Sequence, residues 1–249
     1  MNTIPIALLG SGAMGKELLL HSEPYFLPVV SVFDITIPFK TENFKNDFAV
    51  AIDFTLPHLV LDHIKIAAKN GVNLVIGTTG WSEHLDEIKE IVENSNIGVI
   101  YGSNFSIGMQ MTFKTVRELA SLINLVDDYD IAVHEYHHTN KVDSPSGTAT
   151  SLAKILLESI ERKTTIESNA IQGKIDPTVL HCSSTRLSSV VGKHIVTADS
   201  SFDTIEISHN AKTRTGFALG ALRSARWING RRGFYNFEDV FEEVLQNVE

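Results

Sequence analysis

The stretch HEYHHTNKVDSPSGTA, His134 to Ala149, gathers three histidines, a glutamate, a lysine and an aspartate within sixteen residues. Its first five residues satisfy H-E-x-x-H, the zinc-peptidase pattern in which two histidines one helical turn apart bind the metal and the glutamate acts as base. That chemistry requires a helix. The residues leading in, DDYDIAVHEYHH, instead alternate: Tyr129, Ile131 and Val133 take one face and Asp130 and Ala132 the other. This is strand period, with β-branched residues and no amphipathic helical face. Asn140, Pro145 and Gly147 then leave room for only a very short helix. On a strand, His134 and His138 share a face but lie about 13 Å apart, too far for one zinc. Spacing alone would allow Glu158 as a third ligand, but the pair it would join is not formed. The expectation is a site without metal.

Acid–base chemistry suits the same residues better. His137 and His138 are adjacent, so in extended backbone they point to opposite sides, one toward a reacting atom and the other toward a different part of a ligand. Imidazole titrates near neutrality, which suits proton transfer. Lys141 adds a cation. Ser144-Pro145-Ser146-Gly147-Thr148 opens a helix whose first N–H groups, with the Ser146 and Thr148 hydroxyls, form an anion cradle. Histidine, lysine and a helix N-terminus together describe a pocket for a carboxylate-bearing substrate.

The elements that must position this stretch follow two patterns. In the first hundred residues, apolar runs (Ile4 to Leu9, Val29 to Phe33, Val50 to Phe54, Asn73 to Ile76, Ile97 to Tyr101) alternate with helical stretches at Leu59 to Asn70 and Ser82 to Asn94. Strands alternating with helices imply a parallel sheet. A longer helical stretch covers Ser106 to Val126. After residue 126 come the strand before the histidines, a helix over Gly147 to Ile160, and strand-like runs at Val179 to Thr185, His194 to Ala198 and Thr204 to His209. Helical patterns return at Phe217 to Ile228 and Phe237 to Leu245. The predicted fold class is α/β. A Rossmann-type dinucleotide-binding domain spans residues 1–105 plus 215–249. An inserted α+β domain on a mixed, mostly antiparallel sheet spans 106–214 and carries the substrate stretch.

The first domain carries a cofactor fingerprint. Gly10-Ser11-Gly12-Ala13-Met14-Gly15 matches G-x-G-x-x-G between an apolar strand and a helical run, Met14 to Leu20. Gly10 permits the tight turn, Gly12 lets the backbone approach a pyrophosphate, and Gly15 allows close helix–strand packing. Asp34 closes the next strand, where an acid accepts hydrogen bonds from the adenosine ribose. No basic residue follows it until Lys40, and the loop has none before Lys16, which favours NADH over NADPH. Gly77-Thr78-Thr79-Gly80 and Gly102-Ser103-Asn104-Phe105 end two further strands at the carboxyl edge. Either could be a simple capped turn; their coincidence at one edge favours cofactor contacts from Gly77, Thr78, Thr79, Gly102, Ser103, Asn104 and Phe105.

Composition excludes several classes. The net charge of −9 argues against a nucleic-acid partner. No run reaches the roughly 18 apolar residues of a membrane span. The N-terminus lacks a basic region before its apolar run, unlike a signal peptide. The single cysteine, Cys182, precludes an intrachain disulfide and reads as a buried core residue. A cytoplasmic location is expected.

The order Glu135-Tyr136-His137-His138-Thr139-Asn140-Lys141-Val142-Asp143-Ser144-Pro145-Ser146-Gly147-Thr148-Ala149 closely resembles the pattern E-x-H-H-x-x-K-x-D-x-P-S-G-T-A of the dihydrodipicolinate reductase family. Gly10 to Gly15, Asp34, Asp53-Phe54-Thr55, Gly77 to Gly80, Asn104 to Ser106 and Phe217 to Trp227 fall in that family's order. The resemblance implies NAD(P)H-dependent reduction of 4-hydroxy-tetrahydrodipicolinate, a small dicarboxylate of the diaminopimelate route to lysine. It implies His137 as proton donor/acceptor, Lys141 as second proton donor, a substrate contact from His138, and Gly147-Thr148, with Ser146, around one carboxylate. It further implies a homotetramer assembled through the inserted domain, and domain closure with crossings near Phe105-Ser106 and Arg214 to Phe217. Two departures stand out. The connection between Asp34 and Asp53 is short, and Leu187-Ser188-Ser189 stands where the family often has a glycine. Rival readings are an aspartate- or homoserine-type dehydrogenase, a non-catalytic dinucleotide sensor, and the zinc hydrolase.

Overall fold

The computed structural model describes residues 2–43 and 47–246. In chain order the elements of the first half are β1 (Ile6–Leu9), α1 (Ala13–His21), β2 (Val29–Phe33), β3 (Val50–Asp53), α2 (Val60–Asn70), β4 (Asn73–Ile76), α3 (Leu85–Glu93), β5 (Gly98–Tyr101) and α4 (Ile107–Ile123). There follow β6 (Asp130–His137), α5 (Gly147–Ser159), β7 (Thr165–Glu167), β8 (Val179–Arg186), β9 (Gly192–Asp199), β10 (Thr204–Ala211), α6 (Thr215–Ile228), β11 (Gly233–Asn236) and α7 (Phe237–Gln246). The chain divides into two compact units, Met1–Ile107 with Arg214–Glu249, and Gly108–Thr213.

The first unit is a six-stranded parallel sheet in the order β11-β5-β4-β3-β1-β2. Its central strands β1, β3 and β4 are buried at every position because both faces are covered. Ile6 and Leu8 of β1 pack with α6 and α7, while Ala7 and Leu9 pack with α2 and α3. β3 repeats the division, with Val50 and Ile52 on one side and Ala51 on the other. α2 stops at Gly71, whose φ of 69° lets its amide reach the Ala67 and Ala68 carbonyls. β11 escaped the sequence reading. It is four residues long, GFYN, and only its place beside β5 makes it a strand.

The second unit is a five-stranded mixed sheet, β10-β9-β6-β8-β7. β10–β9 and β9–β6 are antiparallel and are the longer pairings; β6–β8 and β8–β7 are parallel. Ile131 and Val133 of β6 alternate into a core built with α4 and α5, alongside Phe113, Val116, Leu152 and Leu156. Cys182 lies in that core, 1 % exposed, and burial raises its thiol to about 11. In the turn after β8, Ser188 takes the left-handed conformation (φ 46°), at the place where the resemblance led us to expect a glycine. Among the described residues, no helix is long and apolar enough to cross a membrane.

Candidate active site

The glycine loop of the first unit is shaped by close approach. Gly10 has φ 104°, and a Cβ there would lie 2.7 Å from the Phe54 carbonyl oxygen. A Cβ on Gly15 would lie 2.1 Å from the Gly10 carbonyl oxygen. Gly12 differs, because nothing lies within 4 Å of its would-be Cβ. It is also the N-cap of α1 and has no side chain to cap the helix. Open space thus adjoins the N-terminal N–H groups of Ala13, Met14 and Gly15, a setting that favours a phosphate. The residues present fit a dinucleotide.

Asp34 stands at the end of β2. Its Oδ1 accepts from the Thr36 amide (2.8 Å), the Thr36 hydroxyl (2.7 Å) and the Ile37 amide (3.3 Å), and its Oδ2 from the Ser11 hydroxyl (2.9 Å). The Thr36 side chain first, then these other donors, lower its carboxyl to about 2. A cavity of about 700 Å³ adjoins it, lined also by Gly10, Ser11, Thr55, Lys40 and His63. That size suits a nucleotide moiety. Of the other expected contacts, Thr78 turns its hydroxyl inward, donating to Asp53 (3.1 Å) and accepting from the Thr55 amide (2.8 Å). Thr79 and Ser103 are exposed, while Gly77 is partly buried and Gly102 buried. Asn104 is buried and accepts from the Ser106 amide before α4. The Phe105 ring stacks on Phe237 in the core, so only its backbone is available to a ligand.

Sequence reasoning missed Asp53 and His63. Asp53 is wholly buried, meets His63 Nδ1 at 2.7 Å and accepts from the Thr55 amide and hydroxyl. Asp53 lies in a strand-end triplet already noted, but nothing marked His63, ten residues on, as its partner.

In the second unit, β6 separates the histidines. His134 faces β8, its ring nitrogens bonded to the Ser183 (2.7 Å) and Thr185 (3.2 Å) hydroxyls; burial lowers its pKa. The H-E-x-x-H pair is therefore spread along a strand. His137 lies on the opposite, core-facing side, 8 % exposed, and His138 follows it, partly exposed. His137 Nδ1 meets the Val191 carbonyl at 3.0 Å. Its Nε2 is buried and lies 3.4 Å from Glu135 Oε2, at the same distance as His194 Nε2.

Glu135 is fully buried beneath these rings. Its Oε1 accepts from the Ser146 amide (2.9 Å) and the Ser184 hydroxyl (2.8 Å), with Arg186 Nη1 at 3.4 Å. Its Oε2 accepts from the Ser146 hydroxyl. Burial pushes the carboxyl up, but His137, His194 and Ser146 outweigh it and hold the group far below the usual carboxylate range. A glutamate two residues before His137 on a strand must share its face, so this neighbour was legible; Arg186 and His194, about fifty residues away, were not.

Ser146 is the N-cap of α5, accepting from the Ala149 amide at 3.2 Å. Beside it, Lys141 Nζ donates to Asp143 Oδ1 at 2.6 Å. Burial raises the Asp143 carboxyl, but Lys141 and the backbone N–H groups, that of Gly147 included, outweigh this and lower it. Lys141 thus holds a carboxylate four residues before α5 begins. Gly147 is exposed and Thr148 partly so.

The fold and these two sites define a two-unit, nucleotide-binding α/β oxidoreductase architecture. Family models match nearly all of it: "Dihydrodipicolinate reductase, N-terminus" over residues 4–105 and "Dihydrodipicolinate reductase, C-terminus" over 108–241. The chain belongs to the dihydrodipicolinate reductase family. A 4-hydroxy-tetrahydrodipicolinate reductase of Christiangramia forsetii is 36% identical over 97% of this chain and 99% of its own. One from Methanoregula boonei is 39% identical over 77% of this chain and 74% of its own. The dipicolinate-bound dihydrodipicolinate reductase from Paenisporosarcina sp. TG-14 shares the fold, with a TM-score of 0.76 and 22% identity, covering 96% of this chain and 99% of that one.

Proposed function

We propose that this chain reduces 4-hydroxy-tetrahydrodipicolinate to tetrahydrodipicolinate with a nicotinamide nucleotide, in the diaminopimelate route to lysine. The relatives named above support the reaction. The observation that carries the substrate class is the carboxylate that Lys141 holds just before the start of α5, here that of Asp143. A substrate carboxylate would take that place, with Thr148 and Ser146 around it and His138 against the ring.

A bound nicotinamide supplies the hydride. The side chains handle the proton that the imine side of the substrate must gain. His137, beside Glu135, is the proton donor/acceptor, and Lys141, partly exposed, is the second donor. Two substrate carboxylates are matched by Lys141, the imidazoles and helix N–H groups. The nucleotide lies along Gly10 to Gly15, with Asp34 on its ribose and Gly77, Thr78, Thr79, Gly102, Ser103, Asn104 and Phe105 at the strand ends, several through backbone alone. NADH is the preferred form, because an ionised Asp34 repels a 2′-phosphate. We extend the reading to a cytoplasmic homotetramer built through the second unit. β10 ends its sheet, and Phe202 beside it is 65 % exposed; light scattering on the purified protein tests this.

The decisive assay follows NADH absorbance with enzymatically generated 4-hydroxy-tetrahydrodipicolinate. His137→Ala and Lys141→Ala should each lose at least about 100-fold in kcat, the scale of a positioned acid. Unchanged rates in both variants would overturn the assignment.

A further inference from the structure

One rung of the second sheet is polar on its core-facing side. The register aligns Ser184 of β8, Glu135 of β6, His194 of β9 and His209 of β10. Directly opposed side chains in a sheet are close neighbours. His137 stands two residues along β6 and so on the same face. The rung is therefore a row of groups at one depth, with a single anion at its centre.

The environment of His137 is one-sided. Nδ1 faces the Val191 carbonyl, which can only accept, so Nδ1 carries a hydrogen. Nε2 is buried 3.4 Å from the Glu135 carboxylate, within ion-pair distance but with no hydrogen-bond partner of its own. A neutral ring would aim a lone pair at that anion, whereas a ring with hydrogens on both nitrogens bonds the Val191 carbonyl and sets a positive edge against the carboxylate. The ring is also confined. A Cβ on Gly192 would lie 2.8 Å from His137 Cε1, so the strand beside it leaves no slack.

We infer that Glu135 is the positioning residue of the proposed reaction: one buried carboxylate that fixes the His137 ring as an imidazolium and ties it, through Ser146, to the start of the carboxylate-binding helix. This rests on the reading of His137 as the proton carrier. The same carboxylate takes Ser146 through both amide and hydroxyl, so the ring and the helix N-terminus share one anchor. A charge-complementary partner at this distance favours the charged imidazole. The other charged or titratable groups around the anchor are Arg186 on Oε1, His194 on Oε2 and 5.2 Å from the His137 ring, His138 6.4 Å from that ring, His209 beside His194, and Cys182 and His134, both of which feel the Glu135 charge. Burial first, then the charge of His194, lowers His209. Arg186 and a charged His194 oppose the imidazolium; Glu135 is the anion among them.

Glu135, His137 and His194 also place possible metal-ligand atoms within 4.8 Å of one another. Four other donors, the Ser146 amide and hydroxyl, the Ser184 hydroxyl and Arg186, already surround the Glu135 oxygens, so hydrogens rather than a metal complete the group.

The experiment is ring nitrogen–proton correlation spectroscopy on the full-length wild type and Glu135→Gln at neutral pH, with elemental analysis and the pH profile of kcat. For the wild type, the His137 ring should show both nitrogens protonated; in Glu135→Gln it should show a neutral tautomer. The alkaline limb of kcat should move to lower pH by about one unit or more, since removing the anion lets the proton leave earlier. kcat should fall at least about 10-fold, while KM for the dicarboxylate changes far less. A neutral His137 ring in the wild type, superposable pH profiles, or stoichiometric zinc or iron in the purified protein would overturn the inference. If Glu135→Gln does not fold, the wild-type ring spectrum decides alone. If the wild type fails to reduce the substrate, the functional reading falls, and the spectrum still reports on Glu135.

Discussion

The two units build their sites from opposite materials. In the first, the working groups are backbone. Gly10, Gly12 and Gly15 matter for what they lack, and the anion-binding groups are the N–H donors of α1. In the second, the working groups are side chains from four elements, drawn together by one buried carboxylate. A backbone site tolerates changes of charge and fails on added volume. A side-chain site behaves the other way round.

The largest expected difference comes from removing the anchor. Glu135→Ala should cost about 3–5 kcal/mol, because it strands Arg186, Ser184 and two imidazoles without their acceptor; urea unfolding of the variant measures it. The sign of the pH effect follows from the same group. Its folded carboxyl is depressed, so its contribution is present above the unfolded value of 4.5 and fades as pH falls below it. A wild-type protein whose stability is flat from pH 6 to pH 3 would break the contrast.

Volume is the next test. Gly15→Ala forces backbone apart at the Gly10 carbonyl and should cost about 1–3 kcal/mol, as overpacking does. Gly12→Ala should leave thermal stability nearly unchanged while weakening nucleotide binding by about tenfold or more, because its side chain enters only the ligand's space. Equal melting shifts in the two variants would show that the loop is not shaped as described.

Charge in the first unit should act on selectivity rather than fold. Asp34→Ala is expected to lower the ratio of kcat/KM for NADH over NADPH by about tenfold, the effect of roughly one charge–charge contact. Since Asp34 stays ionised down to about pH 2, any change in the wild-type ratio between pH 5 and pH 9 should follow the second ionisation of the 2′-phosphate, at about pH 6, and favour NADH as pH rises. Lys40→Ala sharpens this. It should weaken NADPH use alone, and equal loss with both nucleotides would remove Lys40 from the argument.

The smallest effect belongs to Asp143. Asp143→Asn frees Lys141 from a partly exposed ion pair and should tighten dipicolinate binding by up to about fivefold, the worth of such a pair. Calorimetry reads it; weaker binding would mean that Asp143 orients Lys141 instead of occupying the substrate's place.

The sequence by itself determined much of this protein. Alternation through Ile131 and Val133 made β6 a strand and removed the helix that zinc binding by His134 and His138 would need. Pro145-Ser146-Gly147 fixed where α5 begins. The glycine spacing defined the loop, because steric exclusion acts between residues five apart. Tertiary structure alone decided which imidazole meets which partner. Strand alternation put Glu135 and His137 on one face, but only the β6–β9 register brings His194 across from Glu135, and only the β6–β8 pairing brings Ser184 and Arg186. It likewise made GFYN a strand beside β5 and turned His63 onto Asp53. Local patterns are written in periods of two and 3.6 residues. Register between distant strands depends on how whole faces pack, and no short stretch of sequence contains it.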